Sequence, residues 1–286
     1  MLAAKPGAEF DLTGQVAFVT GAGRGLGRHI ALALARYGAD LVICSRTLSE
    51  LEEVAAEIEA LGSEALVQRA DMTLTSDIDN VVAAAVQRFG RIDTLVNNAG
   101  INIPQWAEEV TEEAWDRVLN INLKGLFFCA QAVGKVMIRQ QRGKIINVSS
   151  QAGSVGLIKR AAYCSSKGAV NQLTRVLAVE WAKHNINVNA IAPTFVETPM
   201  TKPMFEDTEF RQYIFDNILF DRAAGDGVTD HLGNLLEVRF LHAEAGHFRD
   251  PHPQGAGGGE PLFFGGGLVI DDDVVLFQPV RHFRSF

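Results

Sequence analysis

A glycine-rich turn separates the first apolar run of the chain, Val16–Val19, from the first amphipathic stretch, and it constrains the fold more than any other feature. The turn reads Thr-Gly-Ala-Gly-Arg-Gly-Leu-Gly over residues 20–27. Gly21 can take a positive φ, Gly25 lets a pyrophosphate approach the backbone, and Gly27 allows the helix to pack closely on a sheet. Free N–H groups where such a helix begins bind phosphate. The turn predicts a dinucleotide site, with a purely structural turn as the alternative.

Short apolar runs alternate with longer amphipathic stretches from residue 10 to about residue 191. Runs of this kind predict buried strands, and the stretches between them predict helices. The expected strands are Val16–Val19, Leu41–Cys44, Ala65–Val67, Thr94–Asn97, Lys144–Val148 and Asn187–Ile191, and the expected helices are 25–37, 48–61, 76–89, 111–141 and 161–184. Thr47 and Glu50 predict a capping box at the second helix. The pattern indicates an α/β fold, a doubly wound parallel sheet with its ligand crevice at the carboxyl ends of the strands.

Polar motifs follow these predicted strands in a fixed order. They are Asp71, Asn97-Asn98-Ala99-Gly100, Asn122 within Asn-Ile-Asn-Leu-Lys-Gly, Ser149-Ser150, Tyr163-Cys-Ser-Ser-Lys167, and the segment Pro193–Met200. Together with the glycine turn they resemble the classical short-chain dehydrogenase/reductase family over residues 10–222. The resemblance implies a Rossmann-like domain, and the Phe-Asp-Leu-Thr-Gly and Asn-Asn-Ala-Gly-Ile segments are similar to sugar-acid dehydrogenases and 3-oxoacyl carrier-protein reductases. Pro193-Thr194 departs from the Pro-Gly that the family often has here.

Tyr163 and Lys167 stand four residues apart, so they share one face of a predicted helix. An ammonium there, together with a cationic nicotinamide, is expected to lower the pKa of the phenol from about 10 by about one to three units. An ordinary surface Tyr and Lys is the alternative. The resemblance implies that Tyr163 is the general acid/base, that Ser150 orients the carbonyl, and that Lys167 tunes the phenol and binds ribose hydroxyls. For Asn122 it implies a water-holding place in a proton relay, and a structural hydrogen bond to the backbone is the other interpretation.

The end of the second predicted strand bears on the choice between NAD and NADP. An acid there would bind the ribose 2′-hydroxyl and repel a 2′-phosphate, but this strand ends Cys44-Ser45-Arg46. Arg46 and Arg24 favour NADP, with NAD or dual use as the alternative. The expected cofactor contacts, several of them implied by the resemblance, are Gly21, Arg24, Gly25, Leu26, Gly27, Ser45, Arg46, Asp71, Met72, Asn98, Ala99, Gly100, Tyr163, Lys167, Val196 and Thr198.

Composition narrows the class of partner. A net charge of −8 argues against nucleic acid, and no uninterrupted apolar run is long enough for a membrane span. The first ten residues lack the pattern of a signal peptide. Three cysteines, an odd number without metal-ligand spacing, indicate a reducing compartment, the cytoplasm. Apolar faces on the predicted helices 111–141 and 161–184 predict a homodimer or homotetramer, with a small-molecule carbonyl or alcohol as substrate.

The resemblance ends near Arg222, and the composition changes there. Residues 223–286 hold no Lys, no Met, five of the seven His and 11 of the 27 Gly. We therefore expect a domain over 10–222 and an atypical C-terminal segment over 223–286, arising from a shifted reading frame or from a lineage-specific extension. Within it, Val274–Phe277 is a candidate for a last strand, and the His242, Glu244, His247 and His252 cluster has no standard metal spacing. The expected function is NAD(P)-dependent interconversion of a secondary alcohol and a ketone; the alternative is a cofactor-binding protein that is catalytically silent.

Overall fold

The computed structural model describes residues 10–194, 196, 198, 201, 202, 206 and 208, and the backbone of residues 268–271 and 274–277. Six strands are β1 (Val16–Thr20), β2 (Asp40–Ser45), β3 (Ala65–Arg69), β4 (Thr94–Asn97), β5 (Gly143–Val148) and β6 (Ile186–Ile191). Six helices are α1 (Gly25–Arg36), α2 (Leu48–Ala60), α3 (Thr75–Phe89), α4 (Glu112–Leu119), α5 (Leu126–Gln140) and α6 (Ala161–Trp181). The strands are parallel in the order β3-β2-β1-β4-β5-β6. The predicted doubly wound α/β fold is confirmed.

Successive side chains of β1 enter different hydrophobic cores, as the period of two along a strand requires. Phe18 packs with residues of α3, α5 and α6 on one face of the sheet, whereas Val19 packs with residues of α1 and α2 on the other. Both side chains are fully buried. The order of strands reverses between β1 and β4. The connections that leave these two strands go to opposite faces of the sheet, and this creates the crevice in which α/β folds bind ligands.

The long helix predicted over 111–141 is interrupted. A π-helical turn, Asn120–Gly125, separates α4 from α5. A Cβ on Gly125 would overlap the carbonyl oxygen of Met72, so the backbone passes close to the end of β3. Among the described residues, Glu112–Gln140 has the length and hydropathy of a membrane span, but half of the apolar window is buried. Here it is a core helix: α5 packs on the sheet beside α3.

The capping box expected at α2 is wrong. The side chain of Thr47, the N-cap residue, makes no capping hydrogen bond. Its backbone N–H donates instead to Ser45 Oγ at 3.2 Å. In a capping box the Glu50 carboxylate would accept a hydrogen bond from this N–H of Thr47. Because Ser45 accepts it instead, the Glu50 carboxylate can bind another group.

The candidate last strand, Val274–Phe277, does form a strand (β8). It pairs antiparallel with β7 (Leu268–Asp271) in a separate two-stranded sheet, so it is not the last strand of the six-stranded sheet. Within the described part of the chain, β6 is the edge of the six-stranded sheet. The predicted domain boundary at residue 222, the histidine cluster and most of the chain between residues 195 and 222 lie outside the described residues.

Candidate active site

A cavity of about 450 Å³ opens at the carboxyl ends of the strands, in the crevice that the topology predicts. Every residue predicted for the site lines it except two, Asn122 and Asp71. The lining also includes Pro193 and Thr194 of the last motif, and residues not predicted for the site, among them Thr47, Glu50, Ala70, Ile101, Asn102, Ile121, Val148 and Thr201. The cavity therefore joins the glycine turn to Tyr163.

The glycine turn has the backbone that its sequence predicts. Gly21 and Gly25 have φ of 67° and 56°, in the left-handed region that favours glycine. A Cβ on Gly27 would overlap the Gly21 carbonyl oxygen and lie 2.5 Å from Asn98 Nδ2. The close packing of Gly27 is thus against the turn itself and the end of β4, whereas the sequence predicted packing on the sheet.

A side chain at the end of β1 and another just after β4 hold this turn in place. Thr20 Oγ1 accepts hydrogen bonds of 3.0 Å from the N–H groups of Asn98 and Ala99. Asn98 Nδ2 donates to the carbonyl oxygens of Thr20 and Gly21 at 3.0 and 3.2 Å. The predicted cofactor residue Asn98 is therefore committed, through its side chain, to shaping the turn.

The start of α1 fits a dinucleotide phosphate. Its N-cap, Arg24, makes no side-chain capping bond, and no acid stands in the first turn. The first N–H groups of a helix without such a cap need another acceptor, and they favour an anion. The glycines leave the backbone bare at this point, so a phosphate can approach it. The residues present therefore fit the group that the sequence implies.

Tyr163 stands at the wall of the cavity, next to Ser150. Burial raises the pKa of Tyr163 above its ordinary value of 10, and a hydrogen bond with Ser150 lowers it in part. Arg160, which sequence reasoning missed, lowers this pKa further by its charge. Without a bound nicotinamide, removal of the phenolate from water outweighs the groups that stabilise it. The predicted lowering of this pKa includes the charge of the nicotinamide and stays a prediction.

Lys167 is buried, with 4% of its surface exposed. Its Nζ donates a 2.6 Å hydrogen bond to the carbonyl oxygen of Val148, at the end of β5. The same Nζ lies 5.7 Å from the centroid of the Tyr163 ring. Burial lowers the pKa of Lys167 from 10.5 to about 8. The bond to Val148 takes one of the three donors of the ammonium.

The two serines after β5 differ in their partners. Ser149 Oγ donates to Asn171 Oδ1 at 2.5 Å, and the Lys167 carbonyl oxygen lies 3.3 Å from the same hydroxyl. Ser150 Oγ accepts from the N–H of Ala152 at 3.2 Å and bonds with Tyr163. Both serines line the cavity, and the side chain of Ser149 also holds β5 to α6. The choice of Ser150 as the serine of the site stays a prediction.

Asn122 is fully buried in the π-helical turn, behind the cavity. Its Oδ1 accepts from the N–H of Ile101 at 2.8 Å, and its Nδ2 donates to the Ile101 carbonyl and to Ser166 Oγ at 2.9 and 3.1 Å. These are the structural bonds that one interpretation of the sequence predicts. The water relay stays a prediction.

Asp71 stands two residues after β3, not at its end. Its Oδ1 accepts from the N–H and the hydroxyl of Thr73, at 2.9 and 2.8 Å. The side chain therefore stabilises the turn that leads into α3, and the residues on either side of it, Ala70 and Met72, line the cavity instead.

The far end of the cavity holds a group of charged and polar side chains. Arg24, Ser45 and Arg46 are there as predicted. Glu50 joins them from the first turn of α2, and its Oε1 lies 3.4 Å from Arg24 Nη1. The sequence placed no acid at the end of β2, so this carboxylate was missed; its spacing of five residues after the strand was the available signal.

Known proteins resemble this chain in sequence and in fold. The family model of the short chain dehydrogenases matches residues 15–209. The chain is 43% identical over 210 residues to a 2-dehydro-3-deoxy-D-gluconate 5-dehydrogenase of Dickeya dadantii. This match covers 73% of this chain and 82% of that protein. It is 42% identical over 194 residues to an NAD-dependent glycerol dehydrogenase of Listeria innocua, covering 68% and 75%.

A solved structure agrees over the same region. The crystal structure of a gluconate 5-dehydrogenase from Burkholderia cenocepacia, in complex with NADP and tartrate, superposes with a TM-score of 0.72. The two chains are 32% identical, and the match covers 76% of this chain and 85% of that one.

Proposed function

This chain belongs to the short-chain dehydrogenase/reductase family and is an NAD(P)-dependent oxidoreductase that acts on CH–OH groups, and we propose that it interconverts a ketone and a secondary alcohol of a sugar or sugar acid, with NADP(H) preferred. The observation that carries the proposal is that Ser150, Tyr163 and Lys167 line one cavity that continues to the glycine turn. A proton donor and a carbonyl-orienting hydroxyl thus share one wall with a phosphate site.

The glycine turn and the start of α1 would hold the pyrophosphate of the cofactor. Arg24, Ser45 and Arg46 would hold the adenosine end, and Val196 and Thr198 the nicotinamide carboxamide. Val196 and Thr198 are tied together through Thr201, whose hydroxyl donates to the Val196 carbonyl at 2.6 Å and accepts from the Thr198 N–H at 2.8 Å. When bound, the nicotinamide supplies or accepts a hydride.

Tyr163 acts as the acid in reduction and as the base in oxidation. In reduction its Oη gives a proton to the oxygen of the substrate carbonyl, and Ser150 Oγ donates a hydrogen bond to the same oxygen as negative charge develops there. Because burial raises the pKa of Tyr163, the phenol stays protonated at neutral pH and is ready to donate. In oxidation the same two groups work in reverse.

Lys167 supplies a positive charge for the tyrosinate that remains. Its ammonium is fixed by the Val148 carbonyl, so it stays near the phenol without a search through side-chain rotamers. Its other N–H groups would bind the ribose hydroxyls of the cofactor. Asn122 keeps the chain near Ile101 in position and, as the resemblance implies, would hold the water through which Lys167 is reprotonated.

Two observations support NADP(H) as the preferred cofactor. Two arginines, Arg24 and Arg46, line the adenosine end of the cavity, and Ser45 can donate to a phosphate. The structural relative from Burkholderia cenocepacia holds NADP. The relative from Listeria innocua is named as NAD-dependent, so NAD belongs in the same test.

We also propose that the protein is a homodimer or homotetramer in the cytoplasm. Apolar side chains on α4 and α6 are exposed in the single chain, namely Trp115, Val176 and Val179. Exposed large apolar side chains on two helices that pack together are typical of a subunit interface. The cysteines Cys44, Cys129 and Cys164 are free thiols, which suits a reducing compartment.

An activity screen tests the proposed function. The purified chain is offered sugar ketones, ketones of sugar acids and 3-oxoacyl esters, each with NADPH and with NADH, while nucleotide binding is followed by fluorescence. Turnover of a sugar or sugar-acid ketone, faster with NADPH, is the expected result. Turnover of 3-oxoacyl esters alone would contradict the substrate class. NADPH binding without turnover of any ketone would favour the silent protein.

A further inference from the structure

Glu50 projects from α2 into the part of the cavity where a cofactor would place its adenosine ribose. A Cβ built on Gly23 would lie 2.9 Å from Glu50 Oε2 and 3.1 Å from Ser45 Oγ. The carboxylate and the hydroxyl at the end of β2 therefore flank the same point of the glycine turn. The acid that the strand itself lacks is supplied by the next helix.

The local hydrogen bonds explain why Glu50 faces the cavity. Ser45 Oγ accepts the N–H of Thr47, so the start of α2 does not need the Glu50 carboxylate as a cap. The Arg24 guanidinium then provides its partner, with Nη1 3.4 Å from Oε1. The Arg24 side chain is 70% exposed and that of Glu50 31% exposed, so the pair is loose and solvated and a ligand can break it.

The two cofactors meet this carboxylate differently. A ribose 2′-hydroxyl can donate a hydrogen bond to Glu50, as it does to an acid at the end of the second strand in NAD-binding folds. A 2′-phosphate carries negative charge and is repelled by Glu50, and it also competes with Glu50 for Arg24. Arg24 and Arg46 attract the same phosphate. One subsite therefore contains two groups that favour NADP and one that favours NAD.

We infer that Glu50 is a specificity-determining residue that weakens the preference for NADP(H) and lets the enzyme use NAD(H) as well. The inference rests on the proposed function, since it concerns the same cofactor site. Glu50 has this effect through its negative charge. It acts from α2, whereas the acid of NAD-binding folds stands at the end of the second strand.

The test compares E50Q with the matched control E57Q. Both residues lie on α2, and each pairs with an arginine: Glu50 with Arg24, the N-cap of α1, and Glu57 with Arg28 of α1 at 2.6 Å. Glu57 differs in that it does not line the cavity. Equilibrium dissociation constants are measured for NADPH and NADH by fluorescence titration. The same variants are titrated with 2′,5′-ADP and 5′-AMP by calorimetry, which reports the adenosine end alone, without turnover.

The inference predicts that E50Q raises the preference for NADPH over NADH by about fivefold, with the same direction for 2′,5′-ADP over 5′-AMP, and that the effect shrinks in high salt. E57Q stays within about twofold of the wild type. An E50Q protein that binds both nucleotides with the wild-type ratio overturns the inference and leaves the proposed function intact. A wild-type protein that binds neither NADPH nor NADH overturns both.

Discussion

Lys167 Nζ lies 5.7 Å from the centroid of the Tyr163 ring while it is bound at 2.6 Å to the carbonyl oxygen of Val148. The ammonium is thus anchored to the sheet and not to the phenol. Burial dominates both groups: it raises the pKa of Tyr163 and lowers that of Lys167 to about 8. Tyr163 is therefore an acid that keeps its proton, and Lys167 is a cation that loses a proton readily.

Replacement of Lys167 by methionine should remove activity and stabilise the fold. A drop in the pKa from 10.5 to about 8 means that holding the charge at pH 7 costs about 3 kcal/mol. The loss of the donor to Val148 takes back about 1 kcal/mol of this gain. We expect K167M to gain about 2 kcal/mol in the free energy of unfolding at pH 7, measured by urea denaturation.

The pH dependence of that gain provides the control. The folded-state pKa of Lys167 lies below the unfolded value, so the wild type regains stability as the pH rises from about 8 towards 10.5. The advantage of K167M should therefore shrink over this window. An advantage that is the same at pH 7 and pH 10 would show that it does not come from the buried charge.

The rate of carbonyl reduction should fall above about pH 8. Tyr163 remains protonated in this range because burial raises its pKa, so the inflection belongs to Lys167, which loses its charge as the pH passes about 8. A neutral amine no longer stabilises the tyrosinate that forms on proton donation. The measurement is kcat/KM for reduction from pH 6 to pH 10.

The conservative variant K167R tests the assignment of that inflection. Arginine stays charged through this range, so the fall should move above pH 9 whatever the absolute rate of the variant. An inflection that stays near pH 8 in K167R would assign it to another group.

Alanine at Gly27 should damage the phosphate site from within a helix. Gly to Ala in a helix ordinarily stabilises by about 0.5–1 kcal/mol, but here the Cβ would overlap the Gly21 carbonyl. We expect G27A to lose about 2 kcal/mol or more of stability and at least about tenfold in NADPH affinity. Thermal unfolding and fluorescence titration measure the two effects.

Gly168 of α6 offers the matched substitution. A Cβ there would meet Gly153 O at 3.6 Å, an ordinary contact. G168A should therefore be neutral or slightly stabilising. Equal losses in G27A and G168A would mean that the close approach at Gly21 is not the cause.

The sequence predicted the sheet because each strand is a short apolar run covered on both faces, and β1 to β6 appear within two residues of their predicted ends. It could not predict the π-helical turn, since no periodicity separates α4 from α5. The break lies where Gly125 approaches Met72, a tertiary contact that the sequence does not report.

In the site, too, the sequence predicted some features and could not predict others. Residues named by motif, such as Tyr163 and Ser150, meet in the cavity because the carboxyl ends of parallel strands share one edge. Two features depended on burial and on competition between hydrogen bonds, which spacing does not report. One is the raised pKa of Tyr163, and the other is the turn of Glu50 away from Thr47 towards Arg24.

The most direct measurement is the reduction of an active ketone by Y163F with NADPH. Phenylalanine keeps the ring and its packing and removes only the proton donor. The account predicts that kcat falls by at least about a hundredfold while the dissociation constant of NADPH stays within about threefold of the wild type. A Y163F enzyme that keeps more than about a tenth of the wild-type kcat would contradict the assignment of Tyr163 as the general acid.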